Sequence, residues 1–140
     1  MKTLTQHIIE KLNPSTSTKV NIKRPSDTQD LRELIVERLN ENIQEPYLLD
    51  IDTSKITDMS ELFANVHDSY LVKEANLDPS EIVVLDLSTW DVSNVKYMNC
   101  MFWKCTGLRE LKGVENWDLT NVKTPGMFYG VDKSLKPKGI

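Results

Sequence analysis

The stretch that decides the fold is WDVSNVKYMNCMF, residues 90–102, because two other stretches of the chain can be aligned with it. They are IDTSKITDMSELF, residues 51–63, and WDLTNVKTPGMF, residues 117–128, which is one residue shorter. We call them, in chain order, the first, second and third segments. A recurring unit of about 25 residues, here with roughly a dozen extra residues between the first two, is typical of a solenoid.

Each segment predicts a turn followed by a short helix. Asp91 and Asp118 have short carboxylates that can accept backbone N–H groups in the turn, and the Ser or Thr two residues later can cap the helix. Apolar residues then recur at i, i+3, i+6 and i+7, which predicts one buried helical face. Pro125 and Gly126 should break this helix in the third segment, as expected of a terminal unit.

The predicted structural residues of the segments are those of the turn and of the buried face. They are Trp90, Trp117, Asp91, Asp118, Asn94, Asn121, Met98, Phe63, Phe102 and Phe128. Ahead of the second segment, residues 82–87 alternate and are rich in β-branched side chains, which predicts a strand with Leu85 and Leu87 facing the core. Leu108 and Leu111 are expected to do the same one unit later.

The residues before the first segment predict a helical N-terminal cap. Residues 3–12 have an apolar stripe at helical spacing, residues 13–18 form a linker, and residues 19–23 alternate as a short strand does. Residues 26–40 begin with a helix-start pattern and predict a second helix. Its buried face should consist of Leu31, Leu34, Ile35 and Leu39, and the residues facing mostly solvent should be Arg32, Glu33, Glu37 and Arg38.

A family resemblance rests on the leucines, the turn and the end of the helix in the second and third units. The matching residues are Ile82, Leu85, Leu87, Ser88, Trp90, Asp91, Ser93, Asn94, Val95, Met98, Met101, Phe102 and Cys105, then Leu108, Leu111, Trp117, Asp118, Asn121, Val122, Met127 and Phe128. Through them, residues 48–131 resemble the BspA-like leucine-rich-repeat family of bacterial surface proteins. The resemblance implies non-catalytic attachment to other proteins, and residues 1–45 resemble a prefix on short, signal-less members, some from phage-like elements.

Together these patterns predict an α/β fold, namely a short leucine-rich-repeat-like solenoid with a helical N-terminal cap. The cap would span residues 1–45, and three degenerate repeats would span residues 46–131, with an insert at residues 65–80. Residues 132–140 would be a flexible tail. An open strand edge at the end of so short a stack makes self-association an alternative to a monomer.

Composition and charge narrow the range of functions. The formal net charge is −4 and the basic residues are dispersed, which argues against sequence-independent nucleic-acid binding. No apolar run is long enough to span a bilayer, and the N-terminus lacks the features of a secretory signal. We therefore expect the chain to be cytoplasmic, or part of a virion or other assembly, with Cys100 and Cys105 as thiols.

Residue types that can carry catalysis or bind metals occur without a supporting pattern. His67, Asp68 and Ser69 are neighbours in sequence, whereas the partners of a catalytic triad come from distant segments. Cys105 matches a packed cysteine of the resembling family, and a metal site made with Cys100 and His67 would lack a fourth ligand. The recurring aspartates favour turn capping over a calcium ladder. We predict no catalytic residue, no metal and no cofactor.

The predicted function is binding of a protein partner through exposed aromatic residues. Trp103 and Tyr129 follow the buried phenylalanines of their segments, and an aromatic just off the core face should be partly exposed or pack against a neighbouring repeat. Tyr97 is the third aromatic candidate. His67 and Tyr70 of the insert complete the candidate partner-binding set. Alternatives are a structural component of a virion or other assembly tethered by its N-terminal helix, a mobile-element inhibitor of a host or defence protein, and a small enzyme that uses His67 or Cys105.

Overall fold

The structure, a computed structural model, describes residues 21–64 and 77–137. The regular elements in this part are one α-helix, two strands and three 3-10 helices. They are α1 (Thr28–Glu41), β1 (Val84–Asp86), β2 (Glu110–Lys112) and the 3-10 helices Pro79–Glu81, Val114–Asn116 and Lys133–Leu135. The predicted helix at 3–12, the linker at 13–18 and residues 65–76 of the insert lie outside the described residues.

Helix α1 confirms the second helix predicted from the sequence. It begins where the Asp27 carboxylate accepts the N–H of Asp30 at 2.9 Å, as an N-cap residue does. Leu31, Ile35 and Leu39, spaced four residues apart, are almost completely buried. This spacing places them on one face of the helix, and that face packs on the core.

The prediction that Arg38 faces solvent was wrong. Its side chain is about nine-tenths buried, and the guanidinium donates to both carboxylate oxygens of Asp50 at 2.8 and 2.9 Å. It also donates to the carbonyl oxygen of Tyr47 at 2.8 Å. This fork of bonds holds the chain that follows α1 against the helix, because a planar guanidinium matches a carboxylate in bidentate geometry.

Strands β1 and β2 are parallel, and Leu85 pairs with Leu111 at their centre. The predicted strand is confirmed at β1, where Leu85 is fully buried, and each strand is only three residues long. An isolated parallel bridge between Lys23 and Ile51 lies where the strand at residues 19–23 was predicted. Regular strand pairing is therefore short, and other backbone bonds join the three segments.

The three segments lie edge to edge and are joined by backbone hydrogen bonds at alternate residues, which we call the segment ladder. The bonds between the first and second segments run from the N–H groups of Met59, Glu61 and Phe63 to the carbonyl oxygens of Tyr97, Asn99 and Met101, at 2.8–3.0 Å. Those between the second and third run from Met98, Cys100 and Phe102 to Lys123, Pro125 and Met127, at 2.8–3.0 Å. The order in space is therefore first, second, third.

The predicted solenoid fold was wrong. The described residues contain one α-helix and a two-stranded parallel sheet, and consecutive turns replace the helix expected in each segment. Glu61, Cys100 and Gly126 occupy the same place in their segments and have φ values of 56°, 54° and 67°. A left-handed residue ends a right-handed helix, so the apolar spacing is met by turns instead. The Pro125–Gly126 pair does not set the third segment apart.

A stack of aromatic rings runs through the core beneath the segment ladder. The ring centroids of Phe63 and Phe102 are 5.6 Å apart, and those of Phe102 and Phe128 are 5.5 Å apart. The Trp90 ring lies 6.1 Å from Phe63. The stack fixes the spacing of the three segments, because each phenylalanine belongs to a different one.

Candidate interaction surface

The turn at the start of each segment forms as the sequence predicts. The Asp91 carboxylate accepts the N–H of Ser93 at 2.9 Å, and that of Asp118 accepts the N–H of Thr120 at 3.1 Å. Hydrogen bonds to the charged form favour it, so the serine and threonine lower the pKa of Asp91 and Asp118. These carboxylates have local backbone partners, as turn-capping residues do.

Side chains at the turn of the second segment anchor it to the preceding part of the chain. The buried hydroxyl of Thr53 accepts the N–H of Asp91 at 2.9 Å and donates to its carbonyl oxygen at 2.8 Å. The Asn94 amide donates to the carbonyl oxygen of Ser54 at 2.6 Å, and the Trp90 indole donates to that of Leu48 at 3.0 Å. The surface above this turn therefore rests on a fixed backbone.

The other predicted structural residues divide between the core and the surface. Phe63, Met98 and Phe102 are completely buried, and Phe128 is 9% exposed. Trp117 is half-buried and packs against the core, whereas Asn121 is exposed. The third segment is thus less enclosed than the second.

Tyr97 lies at the centre of a row that crosses all three segments. It forms parallel bridges to Asp58 on one side and to Lys123 on the other, and 41% of its surface is exposed. The Lys123 ammonium lies 5.9 Å from the centroid of the Tyr97 ring, within the range of a cation–π contact. An exposed aromatic ring is thereby placed between an acidic and a basic residue.

An open depression of about 440 Å³ surrounds Tyr97 and is made by the second and third segments. We call its lining the Tyr97 face. It consists of Ser93, Asn94, Val95, Lys96, Tyr97, Asn121 and Lys123. The lining combines polar side chains, among them two lysines, with apolar surface that includes Val95 and the Tyr97 ring, which suits contact with a macromolecular surface through hydrogen bonds, ion pairs and apolar contacts.

The structure does not place the other candidate partner-binding residues on the Tyr97 face. Trp103 is half-buried, with the Lys104 ammonium 4.5 Å from its ring centroid, and Tyr129 is 71% exposed. Both follow the stacked phenylalanines, outside the lining of the depression. His67 and Tyr70 lie outside the described residues.

Cys105 is fully buried, and burial raises the pKa of its thiol to about 12. The thiolate is the nucleophilic form, so this side chain stays protonated and enclosed at neutral pH. In the part of the chain that the structure describes, no group of three or more His, Cys, Asp or Glu side chains is arranged to hold a metal ion. Within the same ranges, no helix is long and apolar enough to cross a membrane.

The pairing of Lys123 with Tyr97 was missed by sequence reasoning. Alignment from the tryptophans pairs Lys123 with Lys96, because Trp-Asp-x-Ser/Thr-Asn-Val-Lys is shared. The structure instead places the missing residue of the third segment after Val122, so that Lys123 lies beside Tyr97 and Lys96 has no counterpart. Counting back from the shared phenylalanine would have revealed this register.

The geometry defines a class of protein in which related segments are joined through their backbones and present a polar, aromatic face. A family model described as "Mycoplasma protein of unknown function, DUF285" matches residues 37–137, and the chain belongs to this family. The matched region contains all three segments. No curated protein and no solved structure matches the chain.

Proposed function

We propose that the chain is a non-catalytic module that binds another protein through the Tyr97 face. The observation that carries this proposal is the 41% exposure of an aromatic side chain whose backbone is bonded on both sides. Tyrosine is enriched among the few residues that supply most of the energy of protein interfaces. The DUF285 family description assigns no function, so the proposal rests on the geometry of the face.

The backbone beneath the Tyr97 face is hydrogen-bonded on both sides, which supports a role in binding. The carbonyl oxygen of Tyr97 accepts the N–H of Met59 at 2.8 Å, and the N–H of Lys96 donates to Thr57 at 2.7 Å. On the other side, the N–H of Lys123 donates to the carbonyl oxygen of Lys96 at 3.0 Å. A surface that is already ordered loses little conformational entropy when it binds a partner.

The charges on the face indicate the chemistry of the partner. Lys96 and Lys123 both line the depression, although the whole chain has a formal net charge of −4. A partner that presents carboxylates to these two lysines and an apolar or aromatic group to the Tyr97 ring would complement the face. Such charge pairing at an exposed site acts mainly on the rate of association and on specificity.

The experiment is capture of partners from an extract of the cells that produce the chain, with two matched tyrosine variants. Tyr47 is the control, because it is also 41% exposed and also has a cation, Arg38, 5.7 Å from its ring centroid. Loss of a tyrosine hot spot costs about 2 kcal/mol, which is about thirtyfold in affinity. We expect Tyr97→Ala to lose a stoichiometric partner that wild type and Tyr47→Ala retain.

Equal capture by wild type, Tyr97→Ala and Tyr47→Ala would contradict the proposal. A charge variant gives a second readout on any partner that is found. Lys123→Glu should slow association and weaken its dependence on salt, because one attractive charge becomes repulsive. An unchanged association rate would show that the partner binds elsewhere.

A further inference from the structure

The two ends of the segment ladder differ in how their backbone groups are bonded. At the first segment, the carbonyl oxygen of Asp58 accepts the Thr28 hydroxyl at 2.7 Å, and that of Ser60 accepts the Arg32 guanidinium at 2.6 Å. Thr28 and Arg32 both belong to α1. Helix α1 therefore caps outward-facing acceptors at this end of the ladder.

The opposite end presents a row of open donors. The residues of the third segment that correspond to Met98, Cys100 and Phe102 are Thr124, Gly126 and Phe128. Among residues 21–64 and 77–137, no atom accepts a hydrogen bond from the N–H groups of these three. In the first and second segments, the N–H groups at the equivalent positions donate to carbonyl oxygens of the next segment.

The third segment has the same turn conformation as the second, so its open N–H groups face in the corresponding direction. Met127 donates to the carbonyl oxygen of Thr124, and Tyr129 donates to that of Gly126, both at 3.1 Å. The same two turn bonds occur at Met98 and Cys100. These bonds occupy the carbonyls of Thr124 and Gly126, so this edge offers mainly donors.

An open groove of about 880 Å³ adjoins the row of donors and reaches Thr124. Leu111, Trp117, Leu119 and Leu135 also line it, and all four are partly buried against the core. Leu111 is the central residue of β2. The backbone N–H and C=O groups of successive residues in a strand face opposite edges, and those of Leu111 face away from β1. The groove thus combines these apolar side chains with polar ones, among them Glu115, Asp118 and Lys136, and with backbone groups that no described residue pairs.

End-to-end stacking of a second copy would leave the three N–H groups of the third segment without acceptors. Head-to-tail stacking would bring the donors to the first segment, where side chains of α1 already occupy the carbonyls of Asp58 and Ser60. Head-to-head stacking would set donors against donors. The occupant must bring its own carbonyl oxygens at alternate residues, and each edge of an extended polypeptide carries a carbonyl oxygen at every second residue.

We propose that the third segment binds an extended peptide segment of another protein, whose carbonyl oxygens accept the N–H groups of Thr124, Gly126 and Phe128. The peptide continues the segment ladder by one more chain, and apolar side chains of the peptide enter the groove. Main-chain bonds supply affinity and the groove supplies side-chain selectivity, as in other cases of strand addition. This site is separate from the Tyr97 face.

The test uses a phage-displayed library of random nonapeptides and amide NMR on the full chain. In the free protein, the Thr124 and Gly126 amides should exchange with solvent quickly, while those of Met98 and Cys100 should be protected. Selected peptides should slow the exchange of Thr124 and Gly126 and shift their resonances most. Tyr97→Ala should bind the same peptides as wild type, which distinguishes this site from the proposed protein-binding face.

A proline variant tests the role of the donors. Thr124→Pro removes one open N–H without breaking an internal bond, and Lys123 before it lies in an extended bridge that a following proline tolerates. It should keep the fold and weaken selected peptides about five- to tenfold, the value of one hydrogen bond. In contrast, Met98→Pro should destabilise the fold, because it removes the bond to Lys123.

Each contrary result overturns the proposal. No selected peptide, or peptides whose shifts fall outside the third segment, would exclude a peptide site at this edge. If the Thr124 and Gly126 amides are protected in the free chain, and this protection does not depend on protein concentration, their acceptors come from the chain itself. If that protection rises with concentration, a second copy is the occupant.

Discussion

Truncation of the central phenylalanine tests the aromatic stack. Phe102 is completely buried and stacks on both Phe63 and Phe128, whereas Phe128 is 9% exposed and stacks on Phe102 alone. A buried Phe→Ala change costs about 3–5 kcal/mol, and each aromatic pair adds about 0.5–1.5 kcal/mol beyond its buried area. We expect Phe102→Ala to cost about 5 kcal/mol and Phe128→Ala about 3 kcal/mol.

Urea unfolding followed by tryptophan fluorescence measures the difference, because Trp90 lies 6.1 Å from the ring of Phe63 at one end of the stack. A domain of this size has a total stability of about 5–15 kcal/mol, so Phe102→Ala can unfold the chain outright. The variants Phe102→Leu and Phe128→Leu keep more side-chain volume. They should lose less stability than the alanine variants, with Phe102→Leu again losing more than Phe128→Leu. A cost at Phe128 equal to or above that at Phe102 would refute the stacked arrangement.

Three further predictions concern charged and thiol groups. Asp50→Asn should destabilise the fold by about 3–5 kcal/mol in urea unfolding, because it leaves the enclosed Arg38 cation without its carboxylate; a loss below 1 kcal/mol would contradict this. Cys105 should react with a thiol reagent only after unfolding, since burial raises its pKa to about 12, whereas half-buried Cys100 should react in the native state. Hydrogen bonds from Ser93 lower the pKa of Asp91 in the folded chain. The Asp91 carboxylate therefore stabilises the fold at pH values above its ordinary pKa of 3.8, and this contribution is lost as the pH falls below 3.8. The urea midpoint of Asp91→Asn should therefore fall less on acidification than that of wild type, and parallel curves would count against the turn.

The sequence predicts those features that depend on local chemistry. The helix that begins at Asp27, the strand at Leu85 and the turns capped by Asp91 and Asp118 each follow from a few neighbouring residues. Helix spacing in the segments was misleading, because residues at i, i+3 and i+6 are also buried on one side of consecutive turns. Cys100 gives no local sign that its φ is 54°, since a non-glycine residue adopts this conformation only where its surroundings require it.

The candidate surface depends on register, which the sequence leaves ambiguous. Lys123 follows the same Asn-Val pair as Lys96, and only the bridge to Tyr97 shows that one residue is missing between Val122 and Lys123. Arg38 was misplaced for a related reason. Its partner Asp50 lies twelve residues away, and an arginine on a helix is buried only when such a partner is at hand.

The position of Pro125 supports an open edge that is available for binding. Its counterpart in the second segment is Asn99, whose N–H donates to the Ser60 hydroxyl at 3.2 Å and takes no part in the alternate backbone bonds of the ladder. Proline is a common means of blocking an exposed edge, because it removes a donor. Placed at residue 124 or 128, it would remove one of the three open donors. At residue 125 it removes none of them and stiffens the backbone between two, so the third segment keeps the complete row that the first and second use to bind a neighbour.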